Sequence, residues 1–327
     1  MRGLFVTGTG TGVGKTVVSA ALLAAMRAAG ERVRAHKPVV TGLDEPNEYV
    51  DVTPNGPGDP SDPGHPDNPS NPDYPSNPDY PDEPDNSSDP SDPNNPGVWP
   101  PDHELLASIA GMTPEEVAPL RYGPAVSPHL AARLAGETID PGEVIARARA
   151  AGEDGDARSG AGGAEVDARS GAGVDARGDA GRDARSGAGG AGALIVEGVG
   201  GLLVPLTDEF TVRDLAVALE LPVLIAAAPG LGTINHTLLT LQAARAVGLD
   251  VRAVVLTPWP QTSAASPTQA PSELERSNRE TIARLGEVEV ACLDRVQSPN
   301  PAELARAGGT LAWQEWCPPT SAVSSGL

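Results

Sequence analysis

The chain has 327 residues and a net charge of −21, with 23 Lys and Arg against 44 Asp and Glu. That balance argues against nucleic acid or an anionic membrane surface as a partner. Cys292 and Cys317 have neither a CxxC spacing nor a neighbouring histidine cluster, which excludes a zinc ribbon or a disulfide framework. No apolar run approaches the ~20 residues that span a bilayer. Met1 leads into an apolar strand without a charged leader and long apolar core, so a cytoplasmic location is expected.

Gly3 to Thr7 is a short apolar run that ends in the glycine-rich turn GTGTGVGKT, Gly8 to Thr16. From Thr16 to Ala29 the apolar residues Val17, Val18, Ala21, Leu22, Ala25 and Met26 recur with helical period, so the unit reads strand, loop, helix. In such a turn the backbone N–H groups through Gly12, Val13, Gly14, Lys15, Thr16 and Val17 and the positive end of the helix surround nucleotide phosphates. Lys15 then reaches the terminal phosphates, and Thr16 offers a hydroxyl to Mg²⁺. Five residues separate Gly8 from Gly14, one more than the usual phosphate-loop pattern.

Val33 to His36 reads as a second strand that delivers Lys37 to its carboxyl end, where ligands bind in open parallel sheets, with Thr41 close behind. Lys15 and Lys37 are the only two lysines in the chain; the other 21 cationic side chains are arginine. A compact ammonium retained in these two turns suggests contact with phosphate, for which a planar guanidinium is a poor substitute.

Two low-complexity segments interrupt the remainder. Residues 44–101 are almost wholly Asp, Asn, Ser and Pro, with a proline at every third position from Pro54 to Pro84, a pattern suited to polyproline II or a disordered linker. Residues 151–192 repeat a DARSGAG unit from Asp156, Asp167, Asp175 and Asp183 and read as a flexible surface insertion. Without them about 230 residues remain, enough for one well-buried α/β domain. Most of the negative charge belongs to these two segments.

Asp102 opens a helical stretch over Glu104 to Ala110; an N-cap role is natural there and compatible with metal contact. Ala193 to Val196 is an apolar strand ending in Glu197 and the turn Gly198 to Gly201, the usual place for a Mg²⁺-organising acid. Val223 to Ala227 and Val251 to Leu256 supply further buried strands. Between them the turn Gly230 to Thr237 leads into a helix over Leu238 to Val247, with Asn235 as a side-chain donor for a carboxylate or phosphate and His236 as a partly buried polar residue. Ser127 lacks the nucleophile-elbow pattern, so covalent catalysis finds no support.

The segments VTGTGTGVGKT, HKPVVTG, SPHLAA (Ser127 to Ala132), IVEGVGGLLVPL (Ile195 to Leu206) and LGTINHTLLT (Leu231 to Thr240) together resemble the dethiobiotin synthetase family, from Leu4 to about Leu256. The resemblance implies a P-loop NTPase-type three-layer α/β fold with a mainly parallel sheet flanked by helices. It also implies a homodimeric, ATP-dependent enzyme that closes the ureido ring of dethiobiotin from 7,8-diaminononanoate and CO₂. Carried over by motif, Thr11, Lys15, Lys37 and Thr41 contact the carbamate and γ-phosphate, while Thr16, Asp102 and Glu197 hold Mg²⁺. Glu104 stands close enough to compete with Asp102 for the last role. Asn235 receives the substrate carboxylate from the other subunit. The family often ends a strand with an adenine-reading asparagine where this chain has Thr257, which leaves base selectivity open. A ParA-like switch and a cobyrinate-amidating ligase are the alternatives within the same P-loop class. They are expected to carry a second lysine in the loop or an amidotransferase cysteine domain, and neither is present.

Overall fold

The computed structural model describes residues 1–44, 99–153, 192–260 and 270–318. Most of both low-complexity segments therefore lies outside the described residues. The expected proline-rich segment re-enters at Trp99. The expected glycine-rich segment begins later than the composition suggests, because its first residues continue a helix, α5 (Pro141–Glu153), that buries Ala151.

Six strands form the main sheet: β1 (Gly3–Gly8), β2 (Val33–His36), β5 (Ala193–Glu197), β6 (Val223–Ala227), β7 (Val251–Trp259) and β8 (Glu289–Asp294). Their order is β2-β5-β1-β6-β7-β8, and every pairing among them is parallel. Strands buried on both faces need no polar alternation, and β1, with sequence GLFVTG, is buried throughout. Its side chains divide between two cores: Leu4 and Val6 face one layer and Phe5 the other. A short parallel pair, β3 (Val39–Val40) with β4 (Leu120–Arg121), stands apart from the main sheet.

The first core lies under α1 (Lys15–Ala28), α2 (Asp102–Ala110), α9 (Pro301–Gly308) and α10 (Trp313–Trp316). The second lies under α4 (Pro128–Leu134), α5, α6 (Val212–Leu219), α7 (Thr233–Arg245) and α8 (Glu273–Gly286). This is the expected three-layer α/β architecture. The helix α1 is nearly all apolar and is enclosed on every side, so Leu22, Leu23 and Met26 are fully buried. Each such side chain stabilises the fold by about 1.5–3 kcal/mol. Alanines along α1 let α9 approach closely: a Cβ added at Gly308 would lie 2.0 Å from Ala21 O.

Helix starts follow local chemistry. Thr113 caps α3 (Pro114–Val117), Thr211 caps α6 and Ser272 caps α8, each with a reciprocal acidic partner three residues on. Arg2 donates to Glu31 and to the carbonyl oxygens of Cys317 and Pro318, which ties the end of the described chain to the start of the sheet.

Several boundaries differ from expectation. Helix α7 starts at Thr233 rather than Leu238, because Gly232 at φ 88° turns the chain directly into it. Strand β7 runs past Leu256 to Trp259, and β8, α9 and α10 follow beyond the limit of the family resemblance. Asp102 is the first helical residue of α2 and makes no capping bond; Pro101 holds the cap position.

Candidate active site

The loops that follow β1, β2 and β5 meet at the carboxyl edge of the sheet. The phosphate loop needs its glycines for two separate reasons. Gly12 and Gly14 adopt φ of 72° and 87°, the left-handed region open to glycine. Gly8 has no such φ, but a Cβ there would come within 2.7 Å of Val13 Cγ2 and 3.0 Å of Lys15 Cγ. The lysine stem therefore folds over Gly8, and Lys15 Nζ donates to Gly10 O at 2.8 Å. From the other side the turn after β5 closes on the loop: a Cβ at Gly201 would sit 3.5 Å from Gly8 O, and one at Gly200 would sit 3.6 Å from Thr11 Oγ1.

Four side chains from four elements join at this edge. Lys37 Nζ donates to Glu197 Oε1 at 2.7 Å and to Asp102 Oδ2, and Thr16 Oγ1 donates to the same Glu197 oxygen at 2.8 Å. The Lys37 side chain is 5% exposed and that of Glu197 is fully buried, whereas Asp102 stands half open to solvent. The backbone of Lys37 is held as well, its N–H donating to Val117 O at the end of α3. Both Asp102 and Glu104 are exposed on α2, and it is Asp102 that accepts from Lys37.

The electrostatics follow from this geometry. Burial opposes the charge on Lys37, but Asp102 and Glu197 outweigh it and hold the ammonium well above its ordinary range. Partial burial opposes ionisation of Asp102, and the charge and hydrogen bond of Lys37 draw it below the usual carboxylate range. Lys15 has no such partner. Burial first and the Lys37 charge second lower it to about 8, against partial support from Glu197 and Asp102.

Glu197 Oε2 is buried and has no hydrogen-bond partner among the described residues. A free, dry carboxylate oxygen beside a threonine hydroxyl and a second carboxylate fits a hard divalent cation. Mg²⁺ characteristically takes one or two protein carboxylates and completes its shell with water and phosphate. Among the described residues no group of three or more His, Cys, Asp or Glu forms an all-protein cage.

Thr41 is half-buried in the turn after β3, and Asn235 is exposed in the first turn of α7. Neither has a hydrogen bond to the four-residue cluster among the described residues, and His236 is exposed rather than partly buried. Thr257 is 2% exposed and lies under the phosphate loop, its Cγ2 2.5 Å from where a Cβ on Gly14 would be. Sequence reasoning missed Asn278. This residue of α8 is buried, and its Nδ2 donates to Pro229 O and Gly230 O, fixing the turn that launches α7. Its setting in the polar stretch ERSNRE carries no local signal.

His36, directly before Lys37, is buried with neither ring nitrogen hydrogen-bonded among the described residues. Burial, then the charges of Arg147 and Arg34, lower it to about 4. The unfolded chain, with an ordinary histidine near pH 6.5, binds the extra proton first. Stability is therefore full above pH ~6.5 and declines as pH falls towards ~4, by about 3 kcal/mol for this group. We predict that His36→Leu flattens this part of the pH–stability curve, measured by urea unfolding between pH 7.5 and 4.5. An unchanged slope in the variant would contradict it.

Comparison with known proteins bears on this site. A family model described as an AAA domain matches residues 2–68 and 181–297, more than half of the chain and inclusive of the loops of β1, β2 and β5. The ATP-dependent dethiobiotin synthetase BioD of Anaeromyxobacter sp. (strain Fw109-5) is 34% identical over 290 residues, covering 88% of this chain and 91% of the relative. The chain belongs to the dethiobiotin synthetase family. The BioD proteins of Caulobacter vibrioides (strain NA1000 / CB15N), 32% identical over 78% of this chain and 80% of the relative, and Mycobacterium sp. (strain KMS), 30% identical over 97% and 98%, extend the match. The last of these runs through β8, α9 and α10, where the sequence resemblance was weak. As a dethiobiotin synthetase the protein is a P-loop ligase that uses a nucleotide. No helix among its described residues is long and apolar enough to cross a membrane.

Proposed function

We propose that this ligase forms dethiobiotin from 7,8-diaminononanoate, CO₂ and ATP, and that the cluster of Thr16, Lys37, Asp102 and Glu197 is its phosphoryl-transfer centre. The observation that carries this reading is the convergence of a buried lysine, two carboxylates and the loop threonine at the carboxyl edge of β1, β2 and β5. One amine of the substrate adds CO₂ and loses a proton to give a carbamate. A carbamate oxygen attacks the γ-phosphorus, ADP leaves, and the second amine attacks the carbonyl carbon to expel phosphate and close the ring.

The protein has little bond-making of its own to do here; it positions and neutralises. Lys15 and the loop N–H groups hold the phosphate chain, and Lys37 faces the oxygens that gain charge as the phosphoryl group moves. Thr11 and Thr41 flank the carbamate. Thr16, Asp102 and Glu197 would hold Mg²⁺, which would supply positive charge to offset the phosphates. Asn235, exposed at the start of α7, is suited to receive the substrate carboxylate across a homodimer interface. A strictly monomeric yet fully active protein would remove that part of the reading.

Purified protein with 7,8-diaminononanoate, bicarbonate, Mg²⁺ and ATP is expected to release dethiobiotin, ADP and phosphate in equal amounts. Nucleotide hydrolysis without ring closure would overturn the assignment. Because the side chain of Thr257 is buried against Gly14, that position presents no base-reading group. Selectivity among ATP, GTP and CTP is accordingly expected within about tenfold in kcat/KM, since large discrimination needs polar groups that the wrong base leaves unpaired. An ATP-only profile would sink this expectation.

A further inference from the structure

We propose that in the nucleotide-free protein the Lys37 ammonium fills the cation position between Asp102 and Glu197, so that a divalent metal enters only as nucleotide phosphates draw Lys37 away. This rests on the reading above, in which Thr16, Asp102 and Glu197 are the metal ligands. Lys37 takes one oxygen from each carboxylate, and the Thr16 hydroxyl is turned to the same Glu197 oxygen. The three metal-holding groups are thus gathered around an ammonium. The side chains of Lys37 and Glu197 are almost wholly enclosed, so their interaction is weakly screened. A divalent ion entering beside Lys37 meets like charge, and the two carboxylates it needs are already paired with that ammonium and partly neutralised by it.

Phosphate changes that balance. The loop at Gly8–Gly14 and Lys15 bring a strongly anionic chain alongside, to which Lys37 transfers, and both carboxylates become free. Glu197 Oε2, buried and unpartnered, is the acceptor left for the incoming ion. Metal and nucleotide therefore bind with positive coupling, and linkage requires each to tighten the other by the same factor. Lys37 is the element that couples them.

Mn²⁺ as the probe, followed by electron paramagnetic resonance without any diamine substrate, tests this directly. The parent protein is expected to bind Mn²⁺ alone weakly and to retain it at least about tenfold more tightly once ADP is present. In Lys37→Met, Mn²⁺ alone is expected to bind at least about tenfold tighter than in the parent, because the competing charge is gone. Adding Glu197→Gln to that variant should abolish the gain, which places the ion. Equal Mn²⁺ affinity of the parent and Lys37→Met in the absence of nucleotide would overturn the exchange. If the variant does not fold, the parent decides alone: Mn²⁺ bound as tightly without ADP as with it also overturns the exchange. Either result leaves the proposed reaction standing if Mn²⁺ still binds with nucleotide. Failure to bind Mn²⁺ even with ADP would remove the metal reading itself.

Discussion

Lys37→Arg is expected to lower kcat by about 10²- to 10³-fold, the cost of losing a donor aimed at developing charge, while nucleotide affinity measured without divalent metal changes little. The substitution keeps the charge and alters only shape. Lys37 lies in a slot between Asp102 and Glu197, 5% exposed, with its backbone fixed to Val117 O. A guanidinium is wider, planar and donates along fixed directions, so it either distorts the slot or stays bound to the carboxylates as a bidentate partner. In the second case it is a better partner for Asp102 and Glu197 than lysine is, and it does not move to the phosphoryl group. Steady-state rates together with a direct nucleotide-binding measurement separate these effects. Turnover within about threefold of the parent would contradict a catalytic role for Lys37, since a donor of this kind is worth far more.

Gly308→Val is expected to destabilise the protein by about 3 kcal/mol or more, at the upper end of overpacking effects. The new Cβ would meet Ala21 O at 2.0 Å and Ala21 C at 2.5 Å, and these are backbone atoms of a helix buried on all sides. No side-chain rotation relieves such a clash; α9 must lift away from α1. Because Lys15 and Thr16 open α1, loosened packing is expected to reach the phosphate loop and weaken nucleotide binding as well. Arg306→Ala, at an exposed position on the same helix, should change stability by no more than about 0.5 kcal/mol. Urea unfolding of the two variants provides the comparison, and a Gly308→Val change below about 1 kcal/mol would refute the packing argument.

Residues 3–16 and 193–201 were legible because strand, turn and helix there are local events: apolar runs broken by glycine, with a lysine or carboxylate at the break. Strands β2, β6 and β7 were legible for the same reason. The partners of Lys37 were not, since Asp102 is 65 residues away and Glu197 is 160, and only the strand order brings them together. Asp102 illustrates the difference well. Its place at a helix start was readable, but with Pro101 at the cap its carboxylate turns to Lys37 instead of the helix N–H groups. The short β3–β4 pair escaped because two-residue strands carry no period. Strand β8 and helix α9 lie beyond Leu256, where the family resemblance ends, although Asn300 caps α9 in an ordinary way. Asn278 acts through two distant carbonyl groups that no local pattern foretells.

Trp99 packs against the first core, while the N–H groups of Leu43 and Asp44 donate to Tyr122 O and Gly123 O. The chain is therefore fastened to the body on both sides of residues 45–98, and Asp102 follows directly on the second of these anchors. A hexad duplicated or deleted within PSNPDYPSNPDY alters the protein's length and charge while the anchoring contacts of Leu43, Asp44 and Trp99 involve none of its residues. Slippage of the gene in that tract is therefore expected to leave the two anchors where they are, and with them the start of the helix that carries Asp102.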